Sequence, residues 1–419
     1  MYNKKITPNK LQKDQNGFIH ILLLLYWAIL VIWQNIGEYT ARSNADVVVK
    51  IFLLAMLVVG YFLGVKRHKN NGVAAFLLIV FAVSQFITFS AEKSGGLSLY
   101  VAYVFPVLFL FLSFVYGNKH TVSNNQYVTF LHGIIAIVAY AAVYAIIFKK
   151  EQFLSAFSIT SAYGNELSSF FISSHEYGMY LVGGIISCVV CLELKKKEAL
   201  SKKIVYYLCL VLFIPNLILT FSRTSMLGLI GFFFLFLLLF GKSKTKNIFV
   251  LLAFAFAFAL LASEEVRNFF LNIVLKNNNM AGRDELYELS VYYFKSGTVL
   301  QRLFGRGITE SRAYFEFYTS HGSIHNAYLQ VLIYYGVVGL AFMIGFVVSR
   351  LVAAIKLIKV SRFVGALSVA LIITCILLML TNTAIIFNSP IDSFFLTVFM
   401  VIMPKYLENN VYFNNSEEL

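Results

Sequence analysis

Long apolar runs separated by short basic loops dominate the chain. A helix needs roughly 20 apolar residues to cross the hydrocarbon core of a bilayer, and most of the runs reach that length. They predict membrane-spanning helices at about 18–37, 47–65, 72–90, 97–116, 127–148, 174–194, 204–221, 224–240, 247–263, 325–348, 363–387 and 390–404. The pattern therefore predicts an all-α polytopic membrane protein with about 12 transmembrane helices.

One long polar stretch, from Ser263 to Ile324, interrupts this pattern between the ninth and tenth predicted spans. Loops of this length are usually functional or disordered, and apolar residues recur throughout it, so we expect it to fold. Apolar positions from 283 to 296 recur at roughly helical spacing, with Asp284 and Glu285 in the first turn and Gly297 after the end. These signals predict an amphipathic helix at the membrane surface, and Gly305-Arg306-Gly307 predicts a tight turn.

Composition and charge fix the class and the expected orientation. Of 419 residues, 59% are hydrophobic and 13% are charged, which excludes an ordinary soluble domain. The net charge of +14 comes mostly from short loops between apolar runs, as in Lys195–Lys197, so it indicates topology rather than a nucleic-acid partner. This distribution predicts that both termini are cytoplasmic and that the long loop is extracytoplasmic.

The predicted organisation follows from these assignments. It comprises a cytoplasmic tail at 1–17, spans one to nine within 18–263, an extracytoplasmic catalytic loop at 264–324, spans ten to twelve within 325–404, and a short polar cytoplasmic tail at 405–419.

Four residues near the predicted outer interface suggest chemistry: Arg223, Arg283, Arg306 and His325. Arginine is always charged and presents a planar fork of donors suited to phosphate. Several arginines converging there could hold a pyrophosphate and stabilise its charge as it leaves. His325 could act as a general base on a hydroxyl or donate to a phosphate. The alternative is that these side chains only anchor helix ends in the interface.

Further candidates lie at the same predicted level. His175 and Glu176, at the mouth of the sixth span, form a candidate acid/base pair, and His321 and Tyr328 flank His325. All four are candidate substrate-binding residues. The spacing of His321 and His325 does not predict a metal site, because Gly322 argues against a continuous helix and no Glu follows His321.

Motifs for other chemistries are incomplete in this chain. Gly241-Lys242-Ser243 resembles the end of a phosphate-binding loop, but Phe236 occupies the position of its first glycine. Cys188 and Cys191 lie in an apolar run without a second ligand pair, which favours small buried side chains. No Asp-x-Asp is present, so neither a metal nor a cofactor is expected. The middle of each span lacks ionisable residues, which counts against an ion-coupled transporter.

Five motifs together resemble the bacterial O-antigen ligase and Wzy-type polysaccharide polymerase family. They are Ser222-Arg223-Thr224, Gly282-Arg283, Leu303-Phe304-Gly305-Arg306-Gly307, His325-Asn326-x-Tyr328-Leu329-Gln330 and Gly336-Val337-Val338-Gly339-Leu340. The resemblance covers about 200–345, and the N-terminal half matches only as hydrophobic helices. The chain departs from the family at Tyr287, where a Trp often follows the Gly-Arg pair.

The resemblance implies a GT-C-like glycosyltransferase of the bacterial cytoplasmic membrane. An acceptor hydroxyl would attack the anomeric carbon of a sugar chain carried by undecaprenyl pyrophosphate, and the pyrophosphate would leave without help from a metal. Arg223 and Arg283 would bind the pyrophosphate, His325 would contact phosphate or activate the hydroxyl, and Arg306 would contact the substrate.

The resemblance leaves more than one function open, and the identity of the acceptor distinguishes a polymerase from a ligase. We expect a polymerase that extends the chain on lipid-linked repeat units, because nothing resembles an added acceptor-binding domain. A ligase that transfers the finished glycan to another acceptor is the alternative, and a lipid-linked sugar flippase or transporter is a third. The lipid bilayer is an expected partner, and a chain-length regulator at the basic inner loops is a further candidate.

Overall fold

The computed structural model describes residues 72–91, 121–157, 166–171, 173–241, 283–319, 324–380 and 396–416, with isolated positions at 55, 107, 108, 110, 111, 113 and 386. These residues form helices and contain no strand. In chain order the helices are α1 Gly72–Ala91, α2 Asn124–Phe148, α3 Lys150–Phe157, α4 Ser174–Leu194, α5 Leu200–Leu219, α6 Arg223–Phe240, α7 Arg283–Lys295, α8 Val299–Phe304, α9 Ile308–Thr319, α10 Ala327–Leu357, α11 Arg362–Met379, the π-helix Val398–Ile402, and α12 Met403–Ser416.

Six helices are long and apolar enough to cross a bilayer: α2, α4, α5, α6, α10 and α11. Each corresponds to a predicted span, so the polytopic membrane class is supported, whereas the count of twelve remains a prediction. Helix α1 contains a shorter apolar segment, Phe76–Thr88. The predicted spans at 18–37 and 247–263 lie outside the described residues, and those at 47–65 and 97–116 are described only at isolated positions.

Helix α11 packs between α6 and α10 and fixes which helix ends lie together. The Thr374 hydroxyl of α11 lies 3.5 Å from the Gly228 carbonyl of α6, and the Tyr328 hydroxyl of α10 donates to the Ile376 carbonyl at 3.3 Å. The starts of α6 and α10 therefore lie beside the end of α11. We call this end of the bundle the site end, and the opposite end, which carries Lys195–Lys197 and Arg362, the basic end.

Helix α10 is interrupted at Gly336, where the backbone adopts φ 70° and ψ −172°. The long loop docks at this break, because the Arg306 and Gly307 amides donate to the Ile333 and Tyr334 carbonyls at 3.0 and 3.2 Å. Non-helical backbone at membrane depth is tolerated where protein groups satisfy it, and the loop supplies those donors here.

Two glycines make this contact sterically possible, and we call their contact the glycine junction. A Cβ on Gly305 would overlap the Tyr334 carbonyl, and a Cβ on Gly336 would overlap the Leu303 carbonyl. Both residues also have positive φ, which glycine adopts at little cost. The Thr88 hydroxyl of α1 donates to the Phe304 carbonyl beside the junction, so the loop contacts both α1 and α10.

Buried ion pairs join α10 to α12 at the basic end. Arg350 of α10 lies 2.7 Å from the Glu408 carboxylate, and Lys405 lies 3.8 Å from the same group. All three are buried. The segment that we predicted to be a polar tail from residue 405 is therefore helical to Ser416, and its polar side chains near the start face the core rather than solvent.

Candidate functional site

The turn between α5 and α6 presents Arg223 at the site end. Phe221 adopts a left-handed conformation, with φ 49°, which is uncommon for a non-glycine residue. The Thr220 hydroxyl donates to the Leu217 carbonyl at 2.7 Å and accepts from the Ser222 amide at 3.2 Å. This tight reversal makes Arg223 the first residue of α6, where its side chain is half-buried.

His175 lies against the same turn. Helix α4 begins at Ser174, and the His175 Nδ1 atom is hydrogen bonded to the Ser222 hydroxyl at 3.2 Å. The Ser222 hydroxyl is also 2.8 Å from the Ser225 hydroxyl, so it does not cap α6. Gly178 permits this approach, because a Cβ there would lie 2.7 Å from the Ser225 oxygen.

This contact joins two groups of predicted site residues. His175 and Glu176 follow each other at the start of α4, so both lie near the turn that carries Arg223. The prediction paired His175 with the adjacent Glu176, whereas the observed hydrogen bond reaches Ser222, 47 residues away in sequence. Ser222 is fully buried, which makes it a support for the imidazole rather than an accessible nucleophile.

His325 lies just before α10 at the same end of the bundle. It is half-buried and adopts φ 52°, and Asn326 caps the helix by accepting from the Leu329 amide at 3.0 Å. The helix begins at Ala327, two residues after the predicted start of the span. The Tyr328 hydroxyl bonds to the α11 backbone, so this predicted substrate-binding group has a structural partner.

The loop forms three helices, where one was predicted. Helix α7 begins at Arg283, which confirms the predicted helix, and it buries Leu286 and Tyr293, whereas the apolar Val291 is exposed. Helices α8 and α9 were missed. A capping box formed by Thr298 and Gln301 at the start of α8 is a signal that could have revealed it. The predicted tight turn at 305–307 is confirmed, with both glycines at positive φ. His321 lies outside the described residues.

Arg306 connects these loop helices. Its Nη2 atom donates to the Ser296 hydroxyl at 2.8 Å, its Nη1 atom lies 3.8 Å from the Glu310 carboxylate, and its guanidinium lies 4.0 Å from the centre of the Tyr293 ring. Burial raises the pKa of Tyr293, which keeps its hydroxyl protonated and able to donate to Glu310 at 3.3 Å. Arg306 therefore has protein partners in this structure, and these contacts favour a role in ordering the loop.

Within the described ranges, no group of three His, Cys, Asp or Glu side chains is placed to hold a metal ion. The described side chains at the site end include the guanidinium of Arg223, the imidazoles of His175 and His325, the carboxylates of Glu166 and Glu176, and several hydroxyls. Such groups can bind a phosphorylated anion and exchange a proton with a hydroxyl.

The described residues form a polytopic helical membrane protein. Its long loop docks on α10 where that helix is interrupted at Gly336. Residues 208–344 match the family model described as O-antigen ligase (Wzy_C), which confirms the family resemblance over that segment. The matched segment runs from α5 through the loop to the break in α10, so it contains Arg223, Arg283, Arg306, His325 and both glycines of the junction. No curated protein matches the chain.

Proposed function

We propose that the protein is a polysaccharide polymerase that joins oligosaccharide repeat units carried on undecaprenyl pyrophosphate at the outer face of the bacterial cytoplasmic membrane. The observation that carries this proposal is the position of the family motifs. Within the matched segment, the start of α6 at Arg223 and the start of α10 beside His325 flank the same end of α11. The loop that begins its helices at Arg283 docks on α10.

In the proposed reaction, the hydroxyl oxygen of the acceptor sugar attacks the anomeric carbon of the donor. The bond between that carbon and the pyrophosphate oxygen breaks, and undecaprenyl pyrophosphate leaves with the electron pair. The proton of the acceptor hydroxyl passes to His325 if that residue is the base, and otherwise to the departing pyrophosphate. Arg223 and Arg283 hold the pyrophosphate and stabilise its charge, which replaces the usual role of a divalent cation. His175 and Glu176 line the acceptor side of the turn, and Arg306 holds the loop in place.

His325 has two proposed roles that a pH profile separates. If it takes the proton of the acceptor hydroxyl, the rate rises as pH increases through the imidazole pKa, because only neutral imidazole accepts a proton. If the imidazolium binds phosphate, the rate falls over the same interval. The measurement is initial rate against pH for the wild type and for His325→Gln, which should remove the titration.

The test of the function is a reaction without nucleotide or added metal. Purified protein in detergent receives the native repeat unit on undecaprenyl pyrophosphate, and the products are separated by gel electrophoresis. A ladder of increasing sugar length is expected. Absence of any ladder from a folded sample would overturn the polymerase proposal.

Transfer to another acceptor is the second candidate function, because the matched family model is described as O-antigen ligase. A ligase would give no ladder with the repeat unit alone. It would give a single product, with the whole glycan transferred, when a separate acceptor such as a lipid A core is added.

A further inference from the structure

An open groove of about 600 Å³ lies at the site end, where α2 ends and α3 begins. It is lined by Phe148, Lys149, Lys150, Glu151, Gln152 and Ser168. None of these residues was predicted to bind a ligand, and they precede the segment that matches the family model. The volume lies within the range of ordinary ligand sites.

The lining combines one exposed aromatic ring with several polar groups. Phe148 is 69% exposed, and its ring lies 4.9 Å from that of Tyr144, which in turn meets the edge of Phe170 at 5.3 Å. These contacts hold the Phe148 ring while leaving much of its surface open. Sugar rings have apolar C–H faces and hydroxyl edges, so an exposed ring beside amide, carboxylate and ammonium groups suits a carbohydrate.

Hydrogen bonds connect the groove to the turn that carries Arg223. Gln152 donates to the Glu166 carbonyl at 2.6 Å, and the Glu166 carboxylate accepts from the Ser174 hydroxyl at 2.7 Å. Ser174 is followed by His175, which is bonded to Ser222. The groove therefore adjoins the candidate site on the side of α2 and α4.

The long loop and the groove are built on different helices. The loop that contains Arg283 docks on α10, whereas the groove is built on α2, α3 and the segment at 166–168. Leu167 is tied to the end of α5 by its amide, which donates to the Leu219 carbonyl at 3.0 Å. The groove thus lies beside the end of α5, on helices other than the one on which the loop docks.

We propose that this groove is a glycan subsite that holds the acceptor sugar chain, a proposal that rests on the proposed glycosyl transfer. Phe148 packs against a sugar face, and Gln152 and Glu151 bond to hydroxyls. The Lys149 and Lys150 ammonium groups favour a sugar that carries a carboxylate.

The experiment measures binding and transfer separately. The probe is the free repeat-unit oligosaccharide of the producing cells, released from its lipid by mild acid, and its affinity for full-length protein in detergent is measured by titration calorimetry. The variants are Phe148→Ala and Lys150→Ala. Their matched controls are Phe317→Ala, whose ring is 81% exposed on α9, and Lys359→Ala at the basic end.

We expect each groove variant to weaken oligosaccharide binding at least tenfold and to raise the KM for the acceptor, with kcat and thermal unfolding unchanged. The controls should match the wild type. Absence of binding by the wild type, or equal binding by groove and control variants, would overturn the subsite. Binding that depends on Phe148 and Lys150 in a protein that transfers no sugar would support the groove and overturn the proposed function instead.

Discussion

The two ends of the bundle are built in opposite ways. Every positive-φ residue in the described part of the chain, namely Ser169, Phe221, Gly305, Gly307, His325 and Gly336, lies at the site end or at the junction where the loop docks. At the basic end, no described residue has a positive φ, and the buried group of Arg350, Lys405 and Glu408 joins α10 to α12.

This difference indicates that strained backbone is concentrated at the site end and that the basic end contributes mainly to the stability of the fold. A non-glycine residue held in a left-handed conformation costs about 1–3 kcal/mol and persists only where the surrounding structure fixes it. Phe221 lies two residues before the predicted catalytic residue Arg223, and His325 is itself a predicted catalytic residue. We infer that the site end is shaped for chemistry and the basic end for holding the helices together. Substitutions at the two ends should therefore separate activity from stability.

The largest effect is expected from the predicted catalytic residues. Arg223→Ala, Arg283→Ala and His325→Ala should each reduce transfer by about 100-fold or more, since removing one preorganised charge-stabilising donor costs about 3–4 kcal/mol in the transition state. Initial rates with the lipid-linked repeat unit provide the measurement. Arg302→Ala, an exposed arginine on α8, is the control and should retain activity. Normal rates from all three variants would contradict the site assignment.

The next largest effect is expected at the glycine junction. Gly336→Ala forces a side chain into a left-handed backbone and against the Leu303 carbonyl, which should disfavour docking by roughly 2–5 kcal/mol. Transfer should fall, and limited proteolysis should cut the loop faster.

Gly345→Ala provides the matched control in the same helix. A Cβ there would meet Leu77 at an ordinary 3.5 Å, so activity and loop protection should be retained. If both variants behaved alike, the loop would not depend on the junction.

At the basic end, Arg350→Met should lower stability while leaving the activity of folded molecules intact. The substitution leaves the Glu408 carboxylate buried with Lys405 at 3.8 Å, and breaking a buried ion pair typically costs about 3–5 kcal/mol. Thermal unfolding in detergent measures the loss, with Lys359→Met as the exposed control. An unchanged unfolding temperature together with lost activity would reverse the comparison between the two ends.

The smallest effect is a pH dependence of stability. Burial, followed by the charge of Arg350, lowers the pKa of Lys405 from 10.5 to about 8. Between those values the unfolded chain binds the proton and the folded protein does not, so stability should rise with pH, by at most about 3 kcal/mol. Unfolding of the wild type and Lys405→Met is compared from pH 7 to 10.5. The variant should lack this rise, and parallel curves would rule out the assigned titration.

Sequence patterns predicted the helices and the turn whose formation depends on residues close together in the chain. The six apolar helices that match predicted spans, the helix from Arg283 to Lys295 and the turn at 305–307 follow from hydrophobic periodicity and glycine spacing. The break at Gly336 was missed because glycine is common in membrane helices. Only its contact with Leu303, from a separate loop, distinguishes it from an ordinary helical glycine.

Long-range contacts explain the other differences from the prediction. Lys405 and Glu408 were predicted to lie in a polar tail because their composition is polar, and their burial depends on Arg350, which lies 58 residues before Glu408. The bond between His175 and Ser222 likewise joins separate helices. The groove between α2 and α3 was not predicted, because its lining residues form no recognisable motif and its lysines are also typical of an ordinary interfacial loop.

The reciprocal fit of Gly305 and Gly336 also limits how the protein can be re-engineered. Each glycine is required by the backbone opposite it, so the loop and the broken span form a matched pair. A chimera that exchanges only 283–319 with a relative would combine two halves shaped for different partners. Transplanting 283–357 as one block keeps both halves of the fit together, so it should preserve the docking of the loop in a new host protein.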